Sequence, residues 1–225
     1  LVTPQGSKNL VNEIVQKIEW SRKQMDLYEF YQSTDLSNLG EKCPLLTEFL
    51  ELLRHEVRPW LEQVTNLKLN YVSASCSMYN AGDYLLVHDD LLKDRQIAFI
   101  YYLSPWKGAE KWTPEMGGCL EIFKADDKCL PQFPVERKIS PQNNQFAFFK
   151  VGQRSFHQVG EVTCHDYPRL TINGWFHGAT NEQLSNNQEL SVLPPLIYQG
   201  SSEMASNSLP QFINPLYLQP SIVQN

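Results

Sequence analysis

The sequence predicts a mainly β domain with flanking α-helices, and two patterns along the chain indicate this fold class. Between Tyr71 and His177, short alternating segments are separated by Gly, Pro and Asp turns, which is typical of a β sandwich or barrel. Before these segments, apolar residues recur at helical spacing. With 225 residues, 42% of them hydrophobic and 12% aromatic, the chain is long enough for one domain with a substantial core.

Two helices are predicted ahead of the strands. The first follows Ser7, a candidate N-cap, and carries apolar residues at helical spacing: Leu10, Val11, Ile14, Val15 and Ile18. The second begins near Thr47 and keeps one apolar face as far as Val64. Pro59 should bend or interrupt it, because proline cannot donate the backbone hydrogen bond of a helix. We expect both helices to cover the outside of a sheet.

These patterns divide the single domain into three parts. Residues 1–70 are predicted to form helices that pack on the core, and residues 71–180 to form the β core. Residues 181–225 are rich in Asn, Gln, Ser and Pro and barely periodic, so we expect a loop-rich C-terminal extension. Within it, Ile213 to Leu218 is the segment expected to make anchoring contacts.

Composition narrows the possible partners and compartments. A net charge of −6 and a pI near 5.4 argue against a nucleic-acid partner bound through phosphate contacts, although an acidic surface speeds association with a basic protein. The sequence has no long apolar run and no signal-peptide pattern, so we expect no membrane partner. Five cysteines without a CxxC pair predict reduced thiols and no zinc finger. We expect a monomer in the cytoplasm, the nucleus or both.

The first candidate site is the sequence His88-Asp89-Asp90, followed much later by His157. Two imidazoles and one carboxylate can occupy one face of an octahedral Fe(II) and leave three positions open for a co-substrate and oxygen. A His-x-Asp pair alone is weak evidence, since such pairs arise by chance in chains of this size. The alternative is an ordinary half-buried histidine at a strand end, followed by a solvated acidic turn.

Arg169 strengthens the metal-site interpretation. The segment 169–176 alternates with period two, so Arg169, Thr171 and Asn173 share one face of a predicted strand. A guanidinium group offers a planar fork for the far carboxylate of a dicarboxylic co-substrate such as 2-oxoglutarate. An arginine on the polar face of a strand is more often solvent-exposed, and only its occurrence with the metal-ligand candidates favours the site. Together these residues predict an oxygenase.

Four segments resemble the 2-oxoglutarate and Fe(II) dependent prolyl hydroxylases: Tyr79 to Asp90, Ile97 to Leu103, Met116 to Leu120, and Arg169 to Gly178. Within this family the chain is most similar to the ribosomal prolyl hydroxylases, which act on a proline of a small-subunit ribosomal protein. The closer similarity lies in four segments: Leu86 to Asp90, Ser155 to Val159, Gly174 to Gly178, and Ile213 to Leu218. Family members usually carry a second, degenerate domain, so we expect this chain to be the N-terminal catalytic domain alone.

The resemblance implies a double-stranded β-helix, the jelly-roll or cupin-like fold, as the catalytic core over residues 71–180. It implies that Fe(II) is the metal, that 2-oxoglutarate and O2 are co-substrates, and that ascorbate stimulates the reaction. The implied metal ligands are His88, Asp90 and His157, whereas Asp89 is expected to point away. His55, His165 and His177 are given no metal role.

The resemblance also implies contacts with the co-substrate and substrate. Arg169 and Tyr102 would bind the distal carboxylate of 2-oxoglutarate, Tyr79 would lie near the co-substrate, and Trp175 beside the iron and substrate. Each aromatic residue has the alternative of an ordinary core position. The pair Gly117-Gly118 is predicted to form a turn leading into a strand, and a plain hairpin turn is the alternative.

The implied activity is hydroxylation of a prolyl residue in a small-subunit ribosomal protein, with an effect on translation. One alternative is the same chemistry on another protein or a small molecule, since the iron and co-substrate groups are shared across the superfamily. The other alternative is a non-catalytic binding module on the same scaffold. The complete set of ligand candidates disfavours that reading.

Overall fold

The computed structural model describes residues 2–92, 94–106 and 111–178, and these contain three α-helices. The helices are α1 (Pro4–Lys17), α2 (Pro44–Leu52) and α3 (Arg58–Thr65). Short 3₁₀ helices and one π-helical turn complete the helical parts: Leu36–Asn38, Gly40–Lys42, Pro114–Met116, and the π-helical turn Leu53–Val57. Within these ranges, no helix has both the length and the apolar character needed to cross a membrane.

Ten antiparallel strands make up the sheet of the described residues. The strands are β1 (Ser21–Met25), β2 (Tyr28–Gln32), β3 (Leu69–Tyr79), β4 (Tyr84–His88), β5 (Arg95–Tyr102), β6 (Leu120–Ala125), β7 (Pro131–Ile139), β8 (Gln145–Lys150), β9 (His157–Val159) and β10 (Arg169–Gly178). Hydrogen bonds order them β7-β6-β9-β4-β2-β3-β10-β5-β8, with β1 added to β2.

Strand β2 connects the two halves of the curled sheet. Tyr31 and Gln32 pair with β3, whereas Tyr28 and Glu29 pair with β4. One half is therefore β8-β5-β10-β3, the other is β4-β9-β6-β7, and the two form a half-barrel. The predicted mainly β fold with flanking helices is confirmed.

Side chains of the central strand β10 alternate between the two surfaces of the sheet. Leu170, Ile172 and Phe176 lie in the main hydrophobic core beneath the helices. Arg169 and Trp175 point the other way, into the inner surface of the half-barrel. The period-two prediction for this strand is confirmed, and this alternation collects polar side chains on one surface.

The helices cover the outer surface of the first half of the sheet, as predicted. Their apolar residues share one cluster with the outward-facing residues of β3, β5 and β10, the helical members being Leu10, Val11, Ile14, Leu46, Phe49, Leu50, Leu53, Val57 and Leu61. Burying one such side chain contributes about 1.5–3 kcal/mol. This layer therefore fixes β10 and β5, which carry much of the site described below.

Helix α1 begins earlier than predicted. Thr3, not Ser7, is its N-cap, and the Thr3 side chain accepts a hydrogen bond from the backbone N–H of Gly6 at 3.0 Å. Pro4 occupies the first turn, where its missing N–H leaves no helix bond unmade. Ser7 lies within the helix, and its hydroxyl donates to Oδ1 of Asn143 at 2.9 Å.

Helix α2 also begins earlier than predicted, at Pro44 instead of near Thr47. The interruption predicted at Pro59 is confirmed, because the π-helical turn at 53–57 separates α2 from α3. In a continuous α-helix the ring of Pro59 would clash with the carbonyl four residues earlier, and the wider turn avoids this contact. Pro59 itself lies in the first turn of α3.

Residues 1–70 contain strands as well as helices, which corrects the prediction for this part. Strands β1 and β2 form a hairpin, and β3 begins at Leu69. Strand β1 is mostly exposed and polar, so it lacks the apolar alternation that predicts a strand. Arg22 of β1 instead makes two hydrogen bonds to the buried carboxylate of Asp83, at 2.8 and 2.7 Å, which tie the hairpin to the β3–β4 turn.

Strand β8 is an edge strand among the described residues, although its sequence is apolar. It pairs only with β5 there, and Phe148 is 38% exposed. An apolar run cannot distinguish a central strand from an edge strand that a helix partly covers. The predicted extension at 181–225, with Ile213 to Leu218, lies outside the described residues.

Candidate active site

His88 and His157 face each other on two neighbouring strands. They form a direct pair in the register of β4 and β9, and their ring centroids lie 4.1 Å apart. Side chains paired in this way start from Cβ atoms about 5 Å apart, so both rings can reach one ion. Asp90 follows the end of β4, and the ligand atoms of the three residues all lie within 4.8 Å of one another.

Hydrogen bonds to both imidazoles leave Nε2 as the nitrogen that can bind a metal. Nδ1 of His88 donates to the carbonyl of Leu86, and Nδ1 of His157 donates to the carbonyl of Ser155, each at 2.8 Å. Nε2 therefore carries the lone pair, and in both residues it lies 3.5 Å from the carboxylate of Asp90. Burial is the main cause that lowers the pKa of His88 to about 4, so this ring is neutral at pH 7.

Asp90 is held as a charged group by residues from both halves of the sheet. Its φ of 61° lies in the left-handed region, which Asp tolerates better than most residues. Trp175 Nε1 donates to Oδ2 at 2.9 Å, and Arg95 Nη1 lies 3.5 Å from Oδ1. Burial alone would raise the pKa of this carboxyl, but His88, His157 and Trp175 outweigh it and hold the pKa well below its usual value.

Arg169 is a buried cation at the other end of the inner surface. It is 2% exposed, and among the described residues it forms no ion pair with a carboxylate. Its Nε donates to the carbonyl of Gly118 at 2.8 Å, and Cζ lies 5.0 and 5.3 Å from the ring centroids of Tyr79 and Tyr102. Because an unpaired buried charge is costly, this arrangement indicates a site for an anionic ligand.

Tyr102 and Ser77 present unpaired hydroxyl groups on the same surface. Their exposed fractions are 0% and 1%, and neither hydroxyl has a hydrogen-bond partner within the described residues. Thr171 of β10 pairs with both residues in register, which places them on either side of the strand that carries Arg169. Burial raises the pKa of Tyr102 against the opposing effect of Arg169, so its hydroxyl stays protonated and can donate.

The structure brings all the predicted site residues to the inner surface of the half-barrel. Tyr79 pairs with Arg169 in register and stacks on Phe30 at 4.9 Å. Trp175 reaches Asp90 from the same strand as Arg169. The assembled set is His88, Asp90, His157, Arg169, Tyr102, Tyr79 and Trp175.

The ligand set fits Fe(II), and the buried cation fits 2-oxoglutarate. Two neutral imidazole nitrogens and one carboxylate oxygen are ligands that suit Fe(II). Within the described residues, no other His, Cys, Asp or Glu joins the group, which leaves positions for further ligands. The unpaired guanidinium of Arg169 and the free hydroxyl of Tyr102 supply the donors that a carboxylate requires.

Arg95 also belongs to this surface, although no sequence pattern indicated it. Strict alternation in β5 would place Arg95 on the core side with Ile97. A β-bulge changes the register, because Phe176 pairs with Ile97 and the next pair skips Gln96. The guanidinium carbon of Arg95 therefore lies 3.4 Å from the ring centroid of Trp175. Bulges beside active sites commonly redirect a side chain in this way.

The Gly117-Gly118 turn leads into β6, as predicted, and it also supports the site. Both glycines have positive φ, at 66° and 65°. A Cβ on Gly118 would lie 2.9 Å from Cδ of Arg169, and one on Gly117 would lie 2.1 Å from the carbonyl of Glu161. The close approach of Gly118 lets its carbonyl hold the Arg169 side chain, so the turn is more than a plain hairpin connection.

The remaining histidines and Asp89 lie outside the ligand group of His88, Asp90 and His157. His55 is 70% exposed and bonds to Glu51, and His165 is exposed in a bend before β10. Asp89 Oδ1 accepts a hydrogen bond from the backbone N–H of Leu91 at 3.0 Å. His177 lies at the far end of β10, beyond Trp175.

Comparison with known proteins agrees with this chemistry. The family model of the 2OG-Fe(II) oxygenase superfamily matches residues 74–177. That range contains the predicted metal ligands and the buried arginine. Residues before 74 supply the helical layer and the β1–β2 hairpin, which lie outside the family match.

Two curated relatives match nearly the whole chain. Prolyl 3-hydroxylase sudestada1 of Drosophila melanogaster is 69% identical over 213 residues, covering 95% of this chain and 39% of the relative. Prolyl 3-hydroxylase OGFOD1 of Mus musculus is 34% identical over 203 residues, covering 90% of this chain and 35% of the relative. The chain thus spans less than half the length of the curated relatives that it matches.

A solved structure shares the fold. The Trichoplax adhaerens prolyl hydroxylase, in complex with a hypoxia inducible factor peptide fragment, superposes with a TM-score of 0.62 at 15% identity. The match covers 78% of this chain and 80% of that one. It confirms the jelly-roll core expected for the sheet. Residues 74–177 therefore form an oxygenase domain of the 2OG-Fe(II) superfamily, and members of this superfamily use Fe(II), 2-oxoglutarate and O2.

Proposed function

We propose that this protein is a 2-oxoglutarate dependent dioxygenase that hydroxylates a prolyl residue of a protein substrate. The observation that carries the proposal is the joint placement of the His88-Asp90-His157 group and the buried Arg169 on one surface. The names of both curated relatives, prolyl 3-hydroxylases, support prolyl hydroxylation as the reaction. The peptide bound to the structural relative supports a polypeptide as the substrate class.

The roles of the metal ligands follow from the close grouping of their ligand atoms. We propose that His88, Asp90 and His157 hold Fe(II) through Nε2 of each ring and one carboxylate oxygen. When bound, Fe(II) and 2-oxoglutarate supply the O2 chemistry that turns a C–H bond into C–OH while 2-oxoglutarate becomes succinate and CO2. The carbonyls of Leu86 and Ser155 keep both rings aimed at the ion.

The roles of the other residues follow from their position on the inner surface. Arg169 and Tyr102 would bind the distal carboxylate of 2-oxoglutarate, and Tyr79 would pack beside it. Charge-assisted hydrogen bonds of this kind are about twice as strong as neutral ones. Trp175 would lie beside the prolyl group, and together with Phe149, which is 4.6 Å from the His157 ring, it would shield the reacting atoms from water.

The finer proposal is that the substrate is a small-subunit ribosomal protein, with an effect on translation. One support is that segments such as residues 155–159 resemble those of the ribosomal prolyl hydroxylases. The net charge of −6 is a second support, because ribosomal proteins are basic and opposite charge speeds association.

We further propose that the protein works in a reducing compartment, the cytoplasm or the nucleus, as a monomer. The compartment is supported by the state of the five cysteines, which are all free: Cys43, Cys76, Cys119, Cys129 and Cys164. Disulfides are uncommon in the cytosol and nucleus and common in secreted proteins. Fractionation with an antibody against the chain tests the location, and light scattering tests the monomer.

The proposed function is tested by mass spectrometry of peptides from small-subunit ribosomal proteins after incubation with the protein, Fe(II), 2-oxoglutarate and ascorbate. We expect one added oxygen on a proline, abolished by His157→Ala and retained by the matched variant His55→Ala. Succinate formation without peptide oxidation would reject this substrate class and keep the oxygenase. Neither product with the wild-type protein would reject the oxygenase activity itself.

A further inference from the structure

Three polar residues form a cluster at the end of the inner surface beyond Trp175. Tyr71 of β3 and His177 of β10 are direct partners in the strand register, and Asp94 precedes β5. The rings of Tyr71 and His177 stack in parallel, with centroids 4.2 Å apart and planes 4° apart. We call these three residues the mouth cluster. None of them belongs to the metal or co-substrate groups described above.

The mouth cluster is rigidly connected. The Tyr71 hydroxyl donates to Oδ2 of Asp94 at 2.5 Å, and Ser73 Oγ lies 2.7 Å from Nε2 of His177. Nδ1 of His177 lies 3.2 Å from Oδ1 of Asp94, but off the direction of a hydrogen bond. His177 is only 7% exposed, so it forms the floor of the cluster.

Two parts of the mouth cluster remain open to solvent. Tyr71 is 50% exposed, and the Asp94 side chain is 44% exposed. The cluster therefore offers a fixed aromatic face next to an accessible carboxylate. A cation can lie over such a face and pair with such a carboxylate at once, which makes this combination a binding site for ammonium or guanidinium groups.

Within the described residues, the carboxylate of Asp94 forms no ion pair with a lysine or an arginine. Burial is the largest cause that lowers the pKa of His177, which favours the neutral ring. The hydrogen bond from Tyr71 is the largest cause that lowers the pKa of Asp94, which keeps the carboxylate charged. Arg95 follows Asp94 in sequence, but its guanidinium lies over Trp175 and faces Asp90.

The mouth cluster lies within reach of an extended substrate that binds beside Trp175. Trp175 and His177 lie on the same face of β10, two residues apart, so their Cα atoms are separated by about 7 Å. An extended peptide covers that distance in about two residues. A side chain close in sequence to a proline beside Trp175 would therefore reach the cluster.

We infer that the mouth cluster of Tyr71, Asp94 and His177 is a substrate subsite that binds a lysine or arginine side chain near the target proline. This inference rests on the proposed function, because it takes the prolyl group to lie beside Trp175. It adds a source of sequence selectivity that the metal and co-substrate groups cannot supply. The basic side chain lies over the Tyr71 ring, with its charge against Asp94.

Peptide binding tests the subsite without requiring turnover. Fluorescently labelled prolyl peptides carry one lysine, moved one position at a time away from the proline, and anisotropy gives their affinities for the chain with 2-oxoglutarate and Mn(II). We expect one lysine position to bind roughly five- to tenfold tighter than its glutamate counterpart. Asp94→Lys should reverse this preference, and Glu48→Lys, at an exposed acid on α2, should leave it unchanged.

Tyr71→Leu provides a second variant that removes the aromatic face and keeps the carboxylate. It should leave only the small lysine preference that an exposed carboxylate gives. The rate of 2-oxoglutarate turnover without peptide should equal that of the wild type. Equal affinity for all the peptides, or no measurable affinity, overturns the subsite. A lysine preference without any proline hydroxylation would uphold the subsite and count against the proposed function.

Discussion

Trp175 donates its indole N–H to Oδ2 of Asp90 across 2.9 Å, and this bond joins the two halves of the half-barrel. Trp175 belongs to β10, whereas Asp90 follows β4 in the other half. The bond fixes the rotation of the carboxylate, with Oδ1 3.5 Å from His88 Nε2. A residue that resembled a substrate contact in the sequence is therefore also a positioning residue for the metal ligands.

The first prediction concerns this bond. Trp175→Phe keeps an aromatic ring but removes the donor to Asp90, so we expect metal affinity to fall by about 10- to 100-fold, the usual cost of losing a partner of a ligand. Anaerobic titration with Fe(II) or Mn(II) measures the effect. Trp60→Phe, at a 45% exposed tryptophan on α3, is the matched control and should bind metal like the wild type. Unchanged affinity in Trp175→Phe would show that the bond does not support the metal site.

The second prediction concerns Arg169. Arg169→Lys keeps the charge and loses the planar fork that Gly118 orients, so the KM for 2-oxoglutarate should rise by about tenfold or more. Metal affinity should change little, because Arg169 lies outside the ligand group. Succinate formation at varied 2-oxoglutarate concentrations measures the change, with Arg137→Lys on the exposed strand β7 as the control. An unchanged KM would remove Arg169 from the co-substrate site.

The third prediction concerns Gly118. Gly118→Ala places a Cβ 2.9 Å from Cδ of Arg169 in a residue with φ of 65°, so Arg169 must move and the backbone is strained. We expect a higher KM for 2-oxoglutarate and a loss of about 1–3 kcal/mol in the free energy of unfolding. Gly152→Ala is the matched control, since its added Cβ meets nothing within 4 Å. If the two variants had the same KM for 2-oxoglutarate and the same free energy of unfolding, Gly118 would not be needed to hold Arg169.

The fourth prediction concerns the pH dependence of the metal-free protein. Burial lowers the pKa of His88 to about 4, whereas the unfolded chain keeps the ordinary value of about 6.5. The unfolded state therefore takes up this proton first. The free energy of unfolding is unaffected by His88 above about pH 6.5 and falls as the pH drops from about 6.5 to about 4, by about 3 kcal/mol at most.

Denaturant unfolding of chelator-treated protein across this pH range measures the effect. His88→Gln should flatten the pH dependence, because the unfolded chain then lacks this proton-binding group. His55→Gln should keep it, since the His55 side chain is 70% exposed. If the free energy of unfolding depended on pH equally in both variants, His88 would not be the group responsible for the loss of stability at low pH.

The sequence predicts the centre of the site better than its surroundings. Alternation over residues 169–176 correctly placed Arg169, Thr171 and Asn173 on one face of β10, since a period of two is a local property of an extended chain. Spacing alone could not show that His88 and His157 are cross-strand partners, because the register of β4 and β9 depends on the whole curled sheet. The resemblance to known hydroxylases was needed to assign both histidines to one metal site.

The parts that could not be predicted depend on long-range contacts. Arg95 reaches the inner surface only because a β-bulge at Gln96 shifts the register, and no residue type specifies a bulge at that position. Strand β1 is polar and is held by the pairing of Arg22 with Asp83, which are 61 positions apart in the chain. The mouth cluster likewise brings together three segments, so its members share no local pattern.

The most direct test of the account is the source of the oxygen atom added to the substrate. Protein, Fe(II), 2-oxoglutarate and a prolyl peptide are incubated under isotopically labelled O2, and the peptide and succinate are analysed by mass spectrometry. We expect one labelled oxygen atom in hydroxyproline and one in succinate, with both lost in Asp90→Ala. Unlabelled hydroxyproline, or labelled product that persists in Asp90→Ala, would contradict a dioxygenase centred on His88, Asp90 and His157.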